Sequence, residues 1–164
     1  PLALNLYTLA YNDHKQLVPL NQALKENLRT YLTNFRMLTD AINIKAAYIV
    51  NIGVEFDVIP KPNFNSNEVI LSCIDRLKTL LHIDRMQINS VIDKSKLIAE
   101  LDKVIGVQSI PNIKIINKFT AGYSENVYDI ETATKNNQIY PSLDPMIFEV
   151  KYPDTDIKGR VIKP

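Results

Sequence analysis

Side chains able to act as nucleophiles, bases or metal ligands are few in this 164-residue chain. It contains one cysteine, Cys73, and two histidines, His14 and His82. Nucleophilic catalysis needs a base close to the nucleophile, so Cys73 with His82 is the pair to consider. Nine residues along one helix separate two positions by about 13 Å, which is too far for a hydrogen bond. We therefore expect Cys73 to be a buried core residue, His82 to cap a helix end and His14 to be exposed.

Carboxylates stand two residues apart at three places, a spacing that puts both side chains on one face of a strand. The pairs are Glu55 with Asp57, Asp129 with Glu131, and Asp154 with Asp156. The same spacing is typical of a plain solvent-facing strand. The chain has only four glycines, widely separated, and these cannot form a phosphate-binding loop. The sequence therefore predicts no metal site, no cofactor and no enzymatic activity.

The composition argues against several classes of protein. Hydrophobic residues make up 46% of the chain, which is enough to form a core and excludes wholesale disorder. Lys and Arg number 19 and Asp and Glu 18, a balance that argues against a dedicated nucleic-acid binder. No run approaches the roughly 20 apolar residues of a membrane helix. The sequence thus predicts no nucleic-acid, membrane or small-molecule partner.

The first segment, residues 1–44, is predicted to contain an arm and a long helix. Apolar residues repeat there at helical spacing: Leu20, Leu24, Leu28, Leu32 and Phe35. Pro19 suits the first turn of a helix, because its missing N–H would have no partner there. The predicted helix covers residues 19–39, about 30 Å, after an arm or short strand over residues 2–9. Either the domain buries both flanks of this helix, or one flank is left for a partner.

The second segment, residues 45–118, is predicted to be a core of strand, helix, helix and strand. Even positions from Tyr48 to Val58 are apolar, which is the period of a strand with one buried face. We expect a bulge or bend at Gly53 in this strand. The closing strand over residues 107–117 contains Pro111, which marks an irregularity or an edge.

The two helices of this core carry capping signals in the sequence. Asn65 is predicted to cap the first, which ends near His82. Asp93 or Ser95 is predicted to cap the second. Apolar ridges on both helices predict that they pack against the sheet.

The third segment, residues 119–164, is predicted to contain short strands, a loop and a C-terminal β-hairpin. The first strand of this hairpin is indicated by the alternation of Phe148, Val150 and Tyr152 with Glu149 and Lys151. Residues 157–162 are predicted to return after a turn, with Glu149 across from Lys158 or Arg160. The hairpin either presents an edge to another subunit's sheet or closes the sheet of this domain. We expect this segment to pack with the core as one unit.

The order of these elements predicts an α+β fold. We expect a mostly antiparallel sheet with helices packed on one face, together with the long N-terminal helix and the C-terminal β-hairpin. The sequence contains no internal repeat and no low-complexity tract.

Two stretches of sequence resemble a known protein family. The first reads RMLTDAINI over residues 36–44 and YIVNIGV over residues 48–54. The second reads IYPSLDPMIFEVKYP over residues 139–153 and ends with DIKGR over residues 156–160. Residues 65–73 and 106–109 lie between these stretches and also contribute to the resemblance. Together they resemble the C-terminal part of the baseplate wedge protein of contractile-tailed, myovirus-type bacteriophages, which is baseplate-J-like, over nearly the whole chain.

The resemblance implies a structural virion protein without catalytic residues. Wedge subunits contact one another and neighbouring wedge proteins, and they build a ring around the hub of the tail. The expected partners are therefore a second copy, as a homodimer, and other baseplate wedge proteins. The expected location is the tail baseplate of the virion, assembled in the host cytoplasm. Because the chain begins at Pro1 rather than Met, with no signal-peptide pattern, we expect it to be a fragment lacking the N-terminal part of such a protein.

The candidate interface lies in the third segment. It comprises Tyr140, Pro141, Asp144, Pro145, Phe148, Glu149, Lys151, Tyr152, Lys158 and Arg160. The alternative function is a small α+β nucleic-acid- or protein-binding module, in which Lys158, Arg160 and Lys163 would form a basic cluster. An enzyme would instead require a pocket that holds a carboxylate with a strongly perturbed pKa.

Overall fold

The computed structural model of this chain describes residues 3–35 and 41–164. The chain divides into an N-terminal unit, Pro1–Tyr48, and a C-terminal unit, Ile49–Pro164. Helices and strands occur in both, which confirms the predicted α+β class. The finer division into residues 1–44, 45–118 and 119–164 stays a prediction.

The N-terminal unit contains two strands that pair in parallel. In chain order its elements are β1 (Ala3–Thr8), β2 (Ala10–Tyr11), β3 (Leu17–Val18), α1 (Gln22–Thr33) and β4 (Ala41–Ala46). The parallel pair is β1 with β4, in register from Ala3 opposite Ala41 to Thr8 opposite Ala46. Parallel neighbours need a crossover connection, and the β2–β3 hairpin and α1 lie within it.

The predicted long N-terminal helix is wrong, because α1 has only 12 residues. The side chain of Asn21 accepts the N–H of Leu24 at 2.8 Å and fixes the start of the helix after Pro19. At the other end the N–H of Asn34 bonds to the Tyr31 carbonyl at 3.2 Å, which closes the last turn. Residues 36–39 of the predicted helix lie outside the described residues.

The C-terminal unit is built around one long strand. In chain order its elements are β5 (Tyr48–Pro60, which begins one residue before the unit), α2 (Ser66–Leu80), a 3₁₀ turn (Ile83–Arg85), β6 (Ile92–Asp93), α3 (Lys94–Asp102), β7 (Val107–Lys118), α4 (Ile130–Ala133), β8 (Thr134–Lys135), β9 (Gln138–Ile139), β10 (Met146–Glu149), α5 (Pro153–Asp156) and β11 (Ile157–Val161). The main sheet joins β5 to β7, β10 and β11, and a smaller sheet has the order β6-β9-β8.

Strand β5 matches the predicted strand, but the sheet around it is not mostly antiparallel. β7 pairs with β5 antiparallel, and β11 pairs with it in parallel, from Ile157 opposite Val54 to Val161 opposite Val58. The β1–β4 pair is parallel as well. The prediction was wrong because alternation of apolar residues indicates a strand and its buried face but not the direction of its neighbour.

The predicted C-terminal hairpin is also wrong, since β10 and β11 each pair with β5. Between them the turn residues form α5, with Pro153 in its first turn. The carbonyl of Tyr152 accepts the N–H groups of Thr155 and Asp156 at 3.1 and 2.8 Å. Proline favours the first turn of a helix, and the helical turn leads into β11, which pairs with β5 and not with β10.

The irregularity in the sheet lies at Pro111 and not at Gly53. Gly53 pairs in regular register with Ile116. The register shifts between Asp57 and Pro60, where the facing stretch of β7 contains Pro111. A proline cannot donate to the ladder, which explains why the extra residues are accommodated there. The predicted irregularity at Pro111 is confirmed, and the predicted bulge at Gly53 is wrong.

One face of the main sheet is covered by two helices. α2 packs against β11, α3 packs against β7, and the two helices contact each other. Their caps are Asn65 and Asp93, as predicted. The core between helices and sheet includes Phe56, Val58, Val69, Cys73, Leu77, Leu97, Leu101 and Ile113. The predicted burial of Cys73 is confirmed, and this burial raises the pKa of its thiol to about 11.

Replacing Gly106 by Ala is expected to destabilise the protein by about 2–4 kcal/mol. Gly106 has a φ of +91°, and an added Cβ would lie 2.7 Å from the Phe64 ring and 2.8 Å from a Val69 methyl. Gly122→Ala is the matched control, because its φ is +94° but the nearest atom, the Tyr152 hydroxyl, is 3.7 Å away. The control should lose only about 1–2 kcal/mol from backbone strain. Urea unfolding measures both, and equal losses would contradict the packing role of Gly106.

Candidate functional site

The face of the main sheet opposite α2 and α3 carries a ladder of charges at one end. Glu55 stands in register with Lys114 of β7 and Lys158 of β11. One step along β5, Asp57 receives two hydrogen bonds from Arg160, at 2.9 and 3.1 Å. This pair raises the pKa of the Arg160 guanidinium. Two negative residues, Glu55 and Asp57, stand among three positive ones, so this end of the face carries a net charge of only +1.

The other end of the same face is buried, and its central polar residue is Asn51. Its side-chain amide donates to a carboxylate oxygen of Glu149 at 2.8 Å. Its side-chain oxygen accepts the N–H of Ser124 at 2.7 Å. Asn51 is 1% exposed and Glu149 2%, so both groups have given up contact with water. Hydrogen bonding must replace that contact, and Asn51 thereby joins β5 to β10 and to the chain after β7.

Residues 119–128, which we call the covering loop, are held on this face by asparagine side chains. Asn117 donates to the Asn51 carbonyl at 3.0 Å and accepts the N–H of Tyr128 at 2.9 Å. Asn126 donates to the Ile49 carbonyl at 2.9 Å. An Asn side chain can satisfy a donor and an acceptor at once, which suits it to fixing an irregular segment against a sheet.

A second buried carboxylate, Asp156, anchors the middle of the covering loop. It accepts the Tyr123 hydroxyl at 2.6 Å and, more weakly, the N–H of Tyr152 at 3.3 Å. Burial, together with this hydrogen bond, raises the pKa of Tyr123 to about 12. The two tyrosine rings pack edge to face with centroids 5.3 Å apart. Asp156 lies in the segment predicted to turn the chain, where it ends the helical turn α5, and it is buried instead of facing solvent as its spacing from Asp154 suggested.

This buried network holds the covering loop in place and leaves no polar group free for a ligand. Every buried side-chain nitrogen and oxygen in the described residues has a hydrogen-bond partner. A network that is fully satisfied fixes one arrangement of the chain. Its role is to close the sheet face, so a binding site must lie on the surface around it.

A groove lies where α2 ends and α3 begins. Its volume is about 670 Å³. Its apolar lining consists of Leu80, Leu81, Met86, Val91, Ile92 and Leu97. Its polar lining consists of Arg76, Arg85, Ser90, Asp93, Lys96, Glu100 and Gln138. Binding sites are usually concave and combine apolar with polar groups, as this groove does.

The charges around the groove divide into paired and unpaired groups. Glu100 forms ion pairs with Arg76 and, at 3.0 Å, with Lys103. The bond from Arg76, followed by that from Lys103, lowers the pKa of Glu100 to about 2. Arg85, Lys96 and Asp93 have no ion-pair partner in the part of the chain that the structure describes. The groove therefore carries two unpaired positive charges and one unpaired negative charge beside its apolar residues.

The structure distributes the ten predicted interface residues over three environments. Phe148 and Glu149 are buried, so they serve the core and the network around Asn51. Lys158 and Arg160 lie on the charged ladder. Arg160 binds Asp57, so the predicted cross-strand pair of Glu149 with Arg160 is wrong.

The other six residues of that set lie close to loops. Tyr140, Pro141, Asp144 and Pro145 belong to the loop that precedes β10. Lys151 and Tyr152 both donate to the carbonyl of Gly122, at 2.7 and 3.0 Å, and so contact the covering loop.

Sequence reasoning missed Asn51 and the groove, for different reasons. Asn51 had a signal: its neighbours on the same face, Ile49 and Gly53, carry no charge, unlike Glu55 further along β5. An uncharged run on both faces of a strand indicates a strand covered on both sides. The groove left no comparable pattern, because its walls come from segments distant in sequence. His82 was expected in a capping or surface role at the C-terminus of α2. It is exposed, but it caps the start of the following 3₁₀ turn, where it accepts the Asp84 N–H at 3.2 Å, and the C-cap of α2 is Leu81.

No protein-family model matches this chain, and no curated protein matches it. Within residues 3–35 and 41–164, no three His, Cys, Asp or Glu side chains come together as metal ligands would. Among the described helices, none is long and apolar enough to cross a membrane.

Asn51→Ala is expected to lower the free energy of unfolding by about 2–5 kcal/mol. The truncation leaves the buried N–H of Ser124 without its acceptor and removes a donor from Glu149. Asn112→Ala is the matched control, because Asn112 lies on the same sheet face but is exposed, and should change stability by less than about 0.5 kcal/mol. Chemical denaturation measures both. If both substitutions lower the free energy of unfolding by a similar small amount, the network does not hold the sheet face closed.

The Glu100 carboxylate is expected to titrate with a pKa of about 2 instead of 4.5. A lowered pKa in the folded state means that Glu100 stabilises the protein above pH 4.5 and that this contribution is lost as the pH falls toward 2. The stability difference between wild type and Glu100→Gln should therefore shrink over that range. Carbon NMR of the labelled carboxyl checks the midpoint directly. Arg76→Gln should raise the midpoint, and an unshifted midpoint in the wild type would contradict the ion pairs.

Proposed function

We propose that this chain is a structural subunit of a phage tail baseplate wedge, which acts by contacting neighbouring subunits and catalyses no reaction. The observation that carries the proposal is an apolar helix face left uncovered in the N-terminal unit. None of the residues of α1 is buried. Leu24 is 46% exposed, Tyr31 62%, and Phe35, just beyond the helix, 72%.

These three residues lie on one ridge of α1. Leu24 and Tyr31 are seven residues apart, and Tyr31 and Phe35 are four apart. Side chains at these spacings line up along one side of a helix. The rings of Tyr31 and Phe35 contact each other with centroids 5.1 Å apart. Adjoining exposed aromatic and aliphatic groups are typical of protein–protein contact surfaces, where such residues supply much of the binding energy.

The resemblance in sequence gives this surface its proposed context. The two matching stretches belong, in the family they resemble, to proteins that build a ring around the tail hub. The proposed partners are a second copy and other wedge proteins, and the proposed location is the virion baseplate after assembly in the host cytoplasm. A protein-binding module outside any virion is the second candidate, since the ridge on α1 supports it equally. A nucleic-acid-binding module has less support, because Glu55 and Asp57 interrupt the basic residues of the charged ladder.

Tail particles purified from the source of this chain are expected to contain it at the baseplate. Mass spectrometry should detect the chain in the particles, and antibody labelling in electron micrographs should mark the end distant from the head. Particles that contain no trace of the chain would contradict the virion role.

The ridge on α1 is expected to be needed for incorporation. Tyr31→Ser with Phe35→Ser removes both rings from an exposed position, so the fold should be retained while incorporation into particles falls. Arg29→Ala is the control, because Arg29 is exposed on another side of α1 and should leave incorporation unchanged. Normal incorporation of the double variant would show that another surface makes the contact.

A further inference from the structure

The groove at the α2–α3 junction has the features of a docking site for an acidic, apolar segment. Six of its thirteen lining residues are apolar. Arg85 and Lys96 outnumber Asp93 among the lining charges that have no ion-pair partner in the described residues, so the unpaired charge of the groove is positive. An occupant with one apolar side chain and an adjacent carboxylate would satisfy both properties. Unpaired charges at the edge of an apolar site favour a partner of opposite sign and disfavour others.

The loop before β10, residues 140–145, carries that combination of groups. Leu143 is fully exposed, with a relative exposure of 106%, and the exposed Asp144 follows it. We call Leu143 and Asp144 the knob. A single exposed leucine is common on protein surfaces. Here it stands at the tip of a loop, next to a carboxylate, in the same unit as the groove.

The knob is held by its own loop. The hydroxyl of Ser142 donates to the Asp144 carbonyl at 2.9 Å, and the N–H of Ser142 points to the sulfur of Met146 at 3.0 Å. Pro141 and Pro145 bracket the tip, and proline fixes φ on either side. A loop that is already ordered loses less conformational freedom when it binds.

The base of the knob and the edge of the groove are joined by two hydrogen bonds. Asn89 donates its N–H to the Met146 carbonyl at 2.7 Å and accepts the N–H of Met146 at 3.2 Å. Met146 begins β10, directly after the knob loop, and Asn89 stands next to the groove residues Ser90 and Val91. Knob and groove therefore lie side by side on the C-terminal unit.

We propose that the groove receives the knob of a second copy of this chain. Leu143 of one copy enters the apolar lining, and Asp144 reaches Arg85 and Lys96 of the other. Because each copy offers a knob beside a groove, a two-fold axis between two copies lets both contacts form at once, which is the arrangement of a closed dimer. This rests on the proposed function, since a subunit of an assembly needs such a contact, but it uses a surface separate from the ridge on α1.

Two charge-reversed variants test this contact. Asp144→Lys puts a positive knob against a positive groove, and Lys96→Glu puts a negative groove against a negative knob. Each variant alone should dimerise with a dissociation constant at least about tenfold higher than the wild type. Lys96 lies in the first turn of α3, where a glutamate is favoured, so Lys96→Glu should fold.

Mixing the two variants should restore the dimer. In the mixed pair the knob that carries Asp144→Lys meets the groove that carries Lys96→Glu, while the unchanged knob of the second copy meets the unchanged groove of the first. Sedimentation velocity over a wide range of concentration should show two weakly associating proteins that form a heterodimer when combined. Leu143→Ser should weaken the wild-type dimer by about tenfold or more. Glu125→Lys and Lys163→Glu, at exposed positions elsewhere, are the charge-matched controls and should dimerise like the wild type.

Four outcomes overturn the proposal: a wild type that is monomeric throughout, variants that dimerise like the wild type, a mixture that gains nothing, or open-ended chains of copies. These outcomes are separate from failure of the proposed function. If the mixture stays monomeric while purified tails contain the chain, the proposed contact between knob and groove is wrong and the virion role stands. If the mixture forms heterodimers while purified tails lack the chain, the virion role is wrong and the contact between knob and groove stands.

Discussion

The C-terminal unit depends on the requirement that Asn51, a polar side chain in the centre of β5, be satisfied without water. Its amide lies on a face that the covering loop and β10 close, and it has hydrogen bonds to both. Leaving this buried amide without hydrogen bonds would cost more free energy of folding than most single apolar contacts contribute. The groups around it are therefore restricted to one arrangement. The positions of Glu149 and of the covering loop follow from this requirement, as does the burial of the first half of β5 on both faces.

The same constraint divides the sheet face into two regions. Around Asn51 and Gly53 the face is covered, and its polar groups are bonded internally. Beyond Glu55 the face is open, and its charges stand opposite charges of the other sign on β7 and β11. Exposed pairs of this kind contribute little to stability, but they disfavour partners that bring charge of a single sign. The surfaces proposed for recognition lie elsewhere, on the ridge of α1 in one unit and on the knob with its groove in the other.

Local features of the sequence predicted the elements that local interactions determine. Asn65 and Asp93 cap the helices they were expected to cap, and the alternation along β5 predicted its extent to within two residues. Pairing between distant segments could not be predicted in this way. The alternation of Phe148 with Glu149 suggested an outward carboxylate, yet Glu149 is buried because Asn51, almost a hundred residues earlier, supplies a partner. A turn-rich sequence such as residues 153–156 is compatible with a hairpin turn and with a helical turn, and the two lead to different strand pairings. The groove was beyond prediction for the same reason.

The interruption at Pro111 has a consequence for how copies of this chain can be crowded together. In the described sheet β7 pairs with β5 alone, so its outer side would be a ready template for a strand from another molecule. A proline and a shifted register in the middle of β7 break the row of regularly spaced donors and acceptors that such a template needs. Copies held at high local concentration are thereby discouraged from fusing their sheets into a fibre. Any contact between copies would then have to form through side chains and not through shared strands.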